Sequence, residues 1–170
     1  MKTLRIRKLV FTALMAALTY VATMVIQSPS PMQGYVNLGD CFVLLSGWLL
    51  GPWWGGAAAG IGSMLTDLLN GYAHYAPGTL VIKACMAITA ALLARVMGNK
   101  PVGYAVSGVA AEAVMVAGYF GYAALLLGKG IAAAASIPGN LVQAAMALVI
   151  APALLALLKR SKALDKLALT

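Results

Sequence analysis

The sequence predicts an all-α membrane protein with six transmembrane helices, cytoplasmic N and C termini, and short second and third helices. Three observations support this fold class: 62% of the 170 residues are hydrophobic, 9% are charged, and the apolar residues form six runs. Because a soluble domain carries roughly 25% charged residues, this chain has too few to cover a water-soluble globule. We expect residues 1–170 to form a single integral membrane domain.

Segments rich in Pro, Gly or charged residues separate the six apolar runs, and such segments are typical of loops. The predicted helices are Ile6–Ile26, Cys41–Leu50, Gly55–Leu69, Gly78–Val96, Val102–Leu127 and Leu141–Leu158. The second and third runs are shorter than the roughly 20 residues that a full span needs. A re-entrant pair is the alternative, but two short spans agree better with the distribution of charge.

The first apolar run follows a basic segment, as the apolar region of a secretory signal peptide does. It extends from Leu9 to Ile26, whereas a signal peptide has an apolar region of roughly 7–15 residues. No A-x-A cleavage pattern precedes the polar break at Gln27. We therefore expect a retained first helix, followed by an outer loop from Ser28 to Asp40.

Basic residues cluster at positions that six membrane crossings would place on one side. Ten of the twelve precede the first apolar run, flank the connection between the fourth and fifth helices or follow the sixth helix: Lys2, Arg5, Arg7, Lys8, Arg95, Lys100, Lys159, Arg160, Lys162 and Lys166. Cytoplasmic segments of membrane proteins carry such an excess of Lys and Arg. The positions of these charges account for the net charge of +8 and predict that both termini are cytoplasmic, so binding of nucleic acid is not needed to explain it. The basic ends could also contact anionic lipid.

Polar residues that are costly to place in a bilayer collect towards the outer ends of five predicted helices and in the adjoining loops. A charged side chain at the bilayer centre costs at least about 2.5–3.5 kcal/mol, so such residues need a reason. The candidate substrate-binding residues are Asn37, Asp40, Asp67, Asn70, His74, Tyr75, Lys83, Glu112, Tyr119, Asn140 and Gln143. Together they could line an outward-facing pocket for a small polar ligand.

Structural roles are open for several of these candidates. Asp40 and Asn140 could be N-caps that accept hydrogen bonds from backbone N–H groups. Asp67 and Lys83 could form a structural ion pair, and His74 could be a solvated loop residue. The collection of polar groups is therefore a stronger signal than any single member.

No catalytic or metal-binding motif stands out in the sequence. It contains no H-E-x-x-H, G-x-S-x-G or P-loop motif, and its two cysteines have no metal-ligand spacing. We expect no enzyme activity, no cofactor and no metal.

Two alternatives stay open: a membrane-embedded enzyme that uses His74 with Asp67 or Glu112, and a structural subunit without a ligand. Because there is no nucleotide site, uphill transport would need a partner that supplies energy.

A long stretch in the first half of the chain resembles a known family. Residues 35–87 read YVNLGDCFVLLSGWLLGPWWGGAAAGIGSMLTDLLNGYAHYAPGTLVIKACMA. This stretch resembles the substrate-binding S component of energy-coupling factor (ECF) vitamin transporters. It is similar to the riboflavin-type branch, which includes proteins assigned to pyridoxine and hydroxymethylpyrimidine. The resemblance extends over nearly the whole chain, because the chain also has the length, the six predicted spans and the basic ends of this family.

The resemblance implies a six-helix fold and a pocket near the outer face, closed by the loops after helices one, three and five. It implies three partner subunits, which are a membrane-embedded T component and two cytoplasmic ATPases. In this family an A-x-x-x-A pattern on helix one docks on the T component, and here that pattern falls on Ala13 and Ala17. The S component is then thought to topple in the membrane and carry its pocket inward.

The expected function is therefore that of the substrate-binding subunit of an ECF-type ABC importer. Its cargo would be a small water-soluble vitamin or vitamin precursor, because aromatic rings and groups of both charge signs suit a flat heterocycle. Pyridoxine or hydroxymethylpyrimidine is favoured, and riboflavin comes next.

Overall fold

The computed structural model describes residues 2–25, 27–30 and 34–161. These residues form six α-helices, a two-stranded ribbon and two short helical segments. The α-helices are α1 Lys2–Val25, α2 Gly39–Leu50, α3 Pro52–Leu69, α4 Ala76–Val96, α5 Pro101–Gly121 and α6 Ile137–Arg160. The strands are β1 Gln27–Ser30 and β2 Gly34–Asn37, and the short segments are a π-helical turn Tyr122–Leu126 and a 3-10 helix Gly130–Ser136.

Helix length and composition confirm an all-α membrane protein. Four stretches among the described residues are long and apolar enough to cross a membrane: Arg5–Val25, Ala76–Val96, Pro101–Leu126 and Gly130–Arg160. Helix α2 is apolar but has 12 residues, so it is short as predicted. Helix α3 has 18 residues and begins three residues earlier than the sequence pattern predicted.

Proline in the first turn explains why several helices begin earlier than predicted. Four helices have a proline at one of their first two positions: α3, α4, α5 and α6. Proline is favourable there because its φ angle already suits a helix and its missing N–H is not needed. As a result α6 begins at Ile137, and Asn140 lies inside its first turn. The N-cap role considered for Asn140 is therefore wrong.

The predicted loop from Ser28 to Asp40 contains regular structure instead. Strands β1 and β2 pair in antiparallel fashion, with Gln27 opposite Asn37. Residues 31–33 of this segment lie outside the described part of the chain. Gly39 opens α2 against the end of α1, and a Cβ atom there would lie 2.1 Å from Thr23 Oγ1. The start of α2 thus packs closely against α1.

Helix α2 forms the centre of the bundle and packs against α1, α3, α4 and α6. Its Leu44 is fully buried in the apolar core. Close helix contacts use glycine, since a Cβ on Gly47 would lie 2.3 Å from the carbonyl oxygen of Ala87. Gly47 therefore serves packing inside the protein, which is a common use of small residues in membrane helices.

Candidate ligand-binding site

A buried ion pair joins the first turn of α2 to α4, two turns from the start of α4. Lys83 Nζ donates a hydrogen bond to Asp40 Oδ1, and the two residues are 4% and 1% exposed. Asp40 makes this pair from the first turn of α2, whose N-cap position is Leu38 and has no side-chain cap. The proposed capping role of Asp40 and the proposed Asp67–Lys83 pair are therefore both corrected, since the partner of Lys83 is Asp40.

Two amide side chains complete the hydrogen bonding around Asp40. Gln143 Nε2 on α6 donates to Asp40 Oδ2 at 2.5 Å. Asn37 donates to Gln143 Oε1 through both its backbone N–H and its side-chain Nδ2, each at 3.0 Å. Asn37 Oδ1 in turn accepts from the backbone N–H of Gly39 at 2.8 Å. A buried ion pair is stable when such extra bonds satisfy its remaining atoms, and these bonds join β2, α2, α4 and α6.

Helix α5 closes the other side of Lys83. The Nζ atom of Lys83 lies 5.3 Å from the centroid of the Tyr119 ring, within the range of a cation–π interaction. The Tyr119 hydroxyl donates to Thr79 Oγ1 at 3.1 Å. Thr79 was not among the sequence candidates, although it precedes Lys83 by four residues and therefore shares its face of α4.

Glu112 adds a second carboxylate, two turns before Tyr119 on α5. It is 3% exposed, and neither of its side-chain oxygens has a hydrogen-bond partner in the described part of the chain. The charges of Asp40 and Lys83 both act on it. Because buried polar atoms are nearly always hydrogen-bonded, the two Glu112 oxygens are positions where a ligand could donate.

We call the six residues Asn37, Asp40, Lys83, Glu112, Tyr119 and Gln143 the polar cluster. All of them were predicted from the sequence as candidates. The structure connects five of them by direct contacts, and Glu112 joins them through its charge interactions.

The remaining candidates lie at the adjacent end of the bundle. Asp67 is buried near the end of α3, and Asn70 is the C-cap residue of that helix. His74 is exposed in the connection to α4, with its ring centroid 4.7 Å from that of Tyr75. Asn140 is half-buried in the first turn of α6.

Contacts between loops form a rim beside the polar cluster. Lys129 Nζ donates to the Tyr75 hydroxyl at 3.0 Å and lies 5.2 Å from the centroid of its ring. The Tyr122 hydroxyl donates to the His74 carbonyl oxygen at 2.8 Å. These bonds join the α3–α4 connection to the segment after α5. Sequence reasoning left Lys129 out of the candidate site, although it is the single basic residue of its loop.

A separate apolar groove lies between α1 and α3. Its volume is about 590 Å³, and its lining includes Ala13, Ala16 and Ala17 from α1 and Ala57 and Ile61 from α3. Ala13 and Ala17 are both exposed. The groove therefore offers a surface where another helix could approach the α1 backbone closely.

Two comparisons with known proteins agree with this architecture. Residues 3–160 match the family described as "ECF-type riboflavin transporter, S component". An uncharacterised protein from Pyrococcus woesei is 37% identical over 142 residues, which cover 82% of this chain and 93% of that protein. The family match extends over all six helices, including every residue of the polar cluster. The chain therefore belongs to the family of S components of ECF-type riboflavin transporters.

Proposed function

We propose that this chain captures a small water-soluble vitamin or vitamin precursor in the polar cluster and hands it to an ECF-type importer. The observation that carries the proposal is the set of buried polar groups around Asp40 and Lys83, with the unsatisfied Glu112 beside them. A hydrogen-bonded site inside an apolar bundle can distinguish close analogues strongly. Pyridoxine or hydroxymethylpyrimidine is the favoured cargo, and riboflavin comes next.

The proposed orientation has six membrane crossings, the polar cluster outside and both termini in the cytoplasm of a prokaryotic cell. Arg95, Lys100, Lys159 and Arg160 support it, because they lie at the ends of α4, α5 and α6 that are remote from the polar cluster. Basic residues favour the cytoplasmic side. Lys162 and Lys166, which contribute to the same pattern, lie outside the described residues.

The proposed partners are a membrane T component and two cytoplasmic ATPase subunits, with docking through Ala13 and Ala17. The exposed, small and apolar surface along the α1–α3 groove supports this assignment. After docking, the subunit would topple and carry its ligand to the cytoplasmic side.

The enzyme alternative lacks a comparable observation. His74 is exposed in a loop, whereas Glu112 is buried within the bundle and makes no hydrogen bond to it. The family is one of transporter subunits, so it also favours a binding function.

Ligand binding by the purified chain alone tests the proposal. Calorimetric titration with pyridoxine, hydroxymethylpyrimidine, riboflavin and other vitamins should give saturable binding of one compound with a stoichiometry near one. Tryptophan fluorescence should be followed in parallel. If the folded protein binds none of the panel, the proposed function is wrong and the ligand-free structural role gains support.

A further inference from the structure

We propose that the end of the bundle remote from the polar cluster binds the headgroup of an anionic phospholipid between α5 and α6. The site consists of Lys159 and Tyr104, with Lys100 and Arg160 beside them. It is separate from the residues assigned to the cargo. It depends on the proposed orientation only because that orientation places this end of the bundle in the cytoplasmic leaflet.

The first step is the position of Lys159 near the end of α6. Its Nζ atom donates to the Tyr104 hydroxyl at 3.2 Å and lies 4.3 Å from the centroid of the Tyr104 ring. This cation–π contact favours one position of the ammonium group, whereas an ordinary surface lysine has a flexible stem. An ammonium group has three hydrogen-bond donors, and Tyr104 accepts from one of them. Lys159 can therefore donate to an anion as well.

The second step is the support of Tyr104, which is buried. The Trp48 ring on α2 packs edge-on against the Tyr104 ring, with the centroids 5.2 Å apart. Trp48 Nε1 donates to Ser107 Oγ at 3.0 Å, and Ser107 Oγ donates to the Tyr104 carbonyl oxygen at 3.1 Å. Tyr104 thus holds the Lys159 ammonium in place. Because a tyrosine hydroxyl both donates and accepts, Tyr104 can also donate to an anion.

The third step is charge. Lys100 before the first turn of α5 and Arg160 at the end of α6 add two exposed cations to this end of the bundle. The acids of the described residues are all buried: Asp40, Asp67 and Glu112. Within the described part of the chain, no salt bridge joins Lys100, Lys159 or Arg160 to a carboxylate. An anion from outside this chain is therefore a suitable partner for these cations.

The fourth step distinguishes a lipid from a soluble anion. Apolar side chains are exposed beside the site on both helices, and Val102 on α5 and Leu157 on α6 are 66% and 62% exposed. A phospholipid would cover this surface with its acyl chains while its phosphate meets the cations. Basic pockets between membrane helices on the cytoplasmic side bind phospholipid headgroups in this way. Inorganic phosphate would match the charges but would leave the apolar surface uncovered.

A matched pair of lipids tests this inference on the unmodified full chain in detergent. The probes are phosphatidylglycerol and phosphatidylcholine with the same acyl chains, which differ in net charge, and native mass spectrometry measures the affinity for each. Phosphatidylglycerol should bind at least about fivefold more tightly, since one Lys or Arg near an anionic lipid contributes about that factor. Inorganic phosphate at the same concentration should not displace it.

The variant Lys159→Met should lower the affinity for phosphatidylglycerol by about fivefold and leave the affinity for phosphatidylcholine unchanged. Lys159→Arg keeps the charge and should retain the preference between the two lipids. Tyr104→Leu should also weaken the preference although it removes no charge, because the ammonium group then loses its support. Size-exclusion chromatography and circular dichroism should verify that each variant is folded.

Arg7→Met is the matched control for Lys159→Met. Arg7 is exposed near the start of α1, which packs against α2 and α3, and its replacement removes the same single positive charge. The affinity for phosphatidylglycerol should change by less than about twofold, because exposed charges that are far apart are screened at physiological salt.

Three results would overturn the inference. The first is equal affinity of the wild type for the two lipids, and the second is an equal loss in Arg7→Met and in folded Lys159→Met, which would indicate diffuse attraction. The third is displacement by inorganic phosphate, which would indicate a site for a small anion. An unchanged lipid preference in Lys159→Met with loss of co-purification with the ATPase subunits would assign this surface to a partner protein instead. Vitamin binding by Lys159→Met should equal that of the wild type, so failure of the lipid site would not contradict the proposed function.

Discussion

Lys83 on α4 donates a hydrogen bond to Asp40 on α2, although 43 positions separate the two residues in the sequence. Both side chains are buried; Asp40 lies in the first turn of α2, and Lys83 lies two turns into α4. The pair therefore contributes to the packing of α2 on α4 and also forms the charged centre of the polar cluster. A ligand that enters the cluster would meet groups that are already held in place.

Removal of the lysine charge should destabilise the protein. Lys83→Met would leave the Asp40 carboxylate buried beside Gln143 without its cation, and breaking a buried pair in this way costs about 3–5 kcal/mol. The measurement is reversible denaturant unfolding in detergent, followed by circular dichroism. Val81→Ala, at an exposed position on the same helix, is the control and should have little effect. The double variant Asp40→Asn with Lys83→Met should recover part of the loss.

If Lys83→Met alone were as stable as the wild type, the ion pair would not stabilise the packing of α2 on α4. If the double variant were less stable than either single variant, the cost would arise from lost packing and not from an uncompensated charge.

Gln143 should control both affinity and the position of the ribbon. Gln143→Leu removes the donor to Asp40 and the acceptor for the two Asn37 N–H groups. Because hydrogen bonds to charged groups contribute about 1.5–3 kcal/mol, ligand affinity should fall by about 10-fold or more. Titration calorimetry measures this change. Amide hydrogen exchange should in addition become faster at Asn37, whose backbone N–H loses its partner.

Leu141→Ala, at an exposed position two residues earlier on α6, is the control for Gln143→Leu. It should change neither affinity nor exchange at Asn37. Full ligand affinity in Gln143→Leu would exclude this glutamine from the binding site.

The residue types of the polar cluster were predictable, whereas their pairings were not. Charged and amide side chains are conspicuous in apolar runs, so Asp40, Lys83 and Glu112 could be selected from the sequence alone. The choice between Asp40 and Asp67 as the partner of Lys83 depends on how α2, α3 and α4 are rotated about their axes. Helical spacing within one segment carries no information about that rotation.

The membrane fold was predictable for a similar reason, but the local structure between helices was not. Long apolar runs are sufficient to predict the four stretches that could cross a membrane. The end of strand β2 is joined to α6 by hydrogen bonds of Asn37 to Gln143, and these two residues are 106 positions apart. The contact of Lys129 with Tyr75 likewise joins residues that are 54 positions apart in the sequence. Proline in the first helical turn is a local signal that would have placed the start of α6 correctly.

The rim contact between Lys129 and Tyr75 should slow ligand release. Lys129→Met removes a hydrogen bond and a cation–π contact that join the α3–α4 connection to the segment after α5. Each interaction contributes about 0.5–1.5 kcal/mol, so the loss of both should raise the dissociation rate by about 5- to 150-fold. Stopped-flow fluorescence measures this rate. Lys100→Met, at the opposite end of the bundle, is the control for loss of one positive charge. An equal increase of the dissociation rate in that variant would contradict the proposal that the Lys129–Tyr75 contact slows ligand release.

Bulky residues in the α1 groove should block assembly without affecting ligand binding. Ala13→Trp or Ala17→Trp would fill the exposed surface between α1 and α3, so that a partner helix could no longer approach the α1 backbone. Co-purification with the T component and the ATPase subunits should be lost, together with uptake by whole cells. Ligand affinity of the isolated subunit should stay within about twofold of the wild type, since a surface substitution remote from the polar cluster changes free energies by about 0.5 kcal/mol or less.

Leu14→Trp is the control for the docking experiment, because Leu14 is exposed on α1 but does not line the groove. It adds the same large side chain to the same helix and should leave assembly intact. Equal loss of assembly in Leu14→Trp would mean that any bulky residue on α1 disturbs the complex. Normal assembly and uptake in both Ala13→Trp and Ala17→Trp would place the docking surface elsewhere, because a tryptophan at either position is too large for close helix packing.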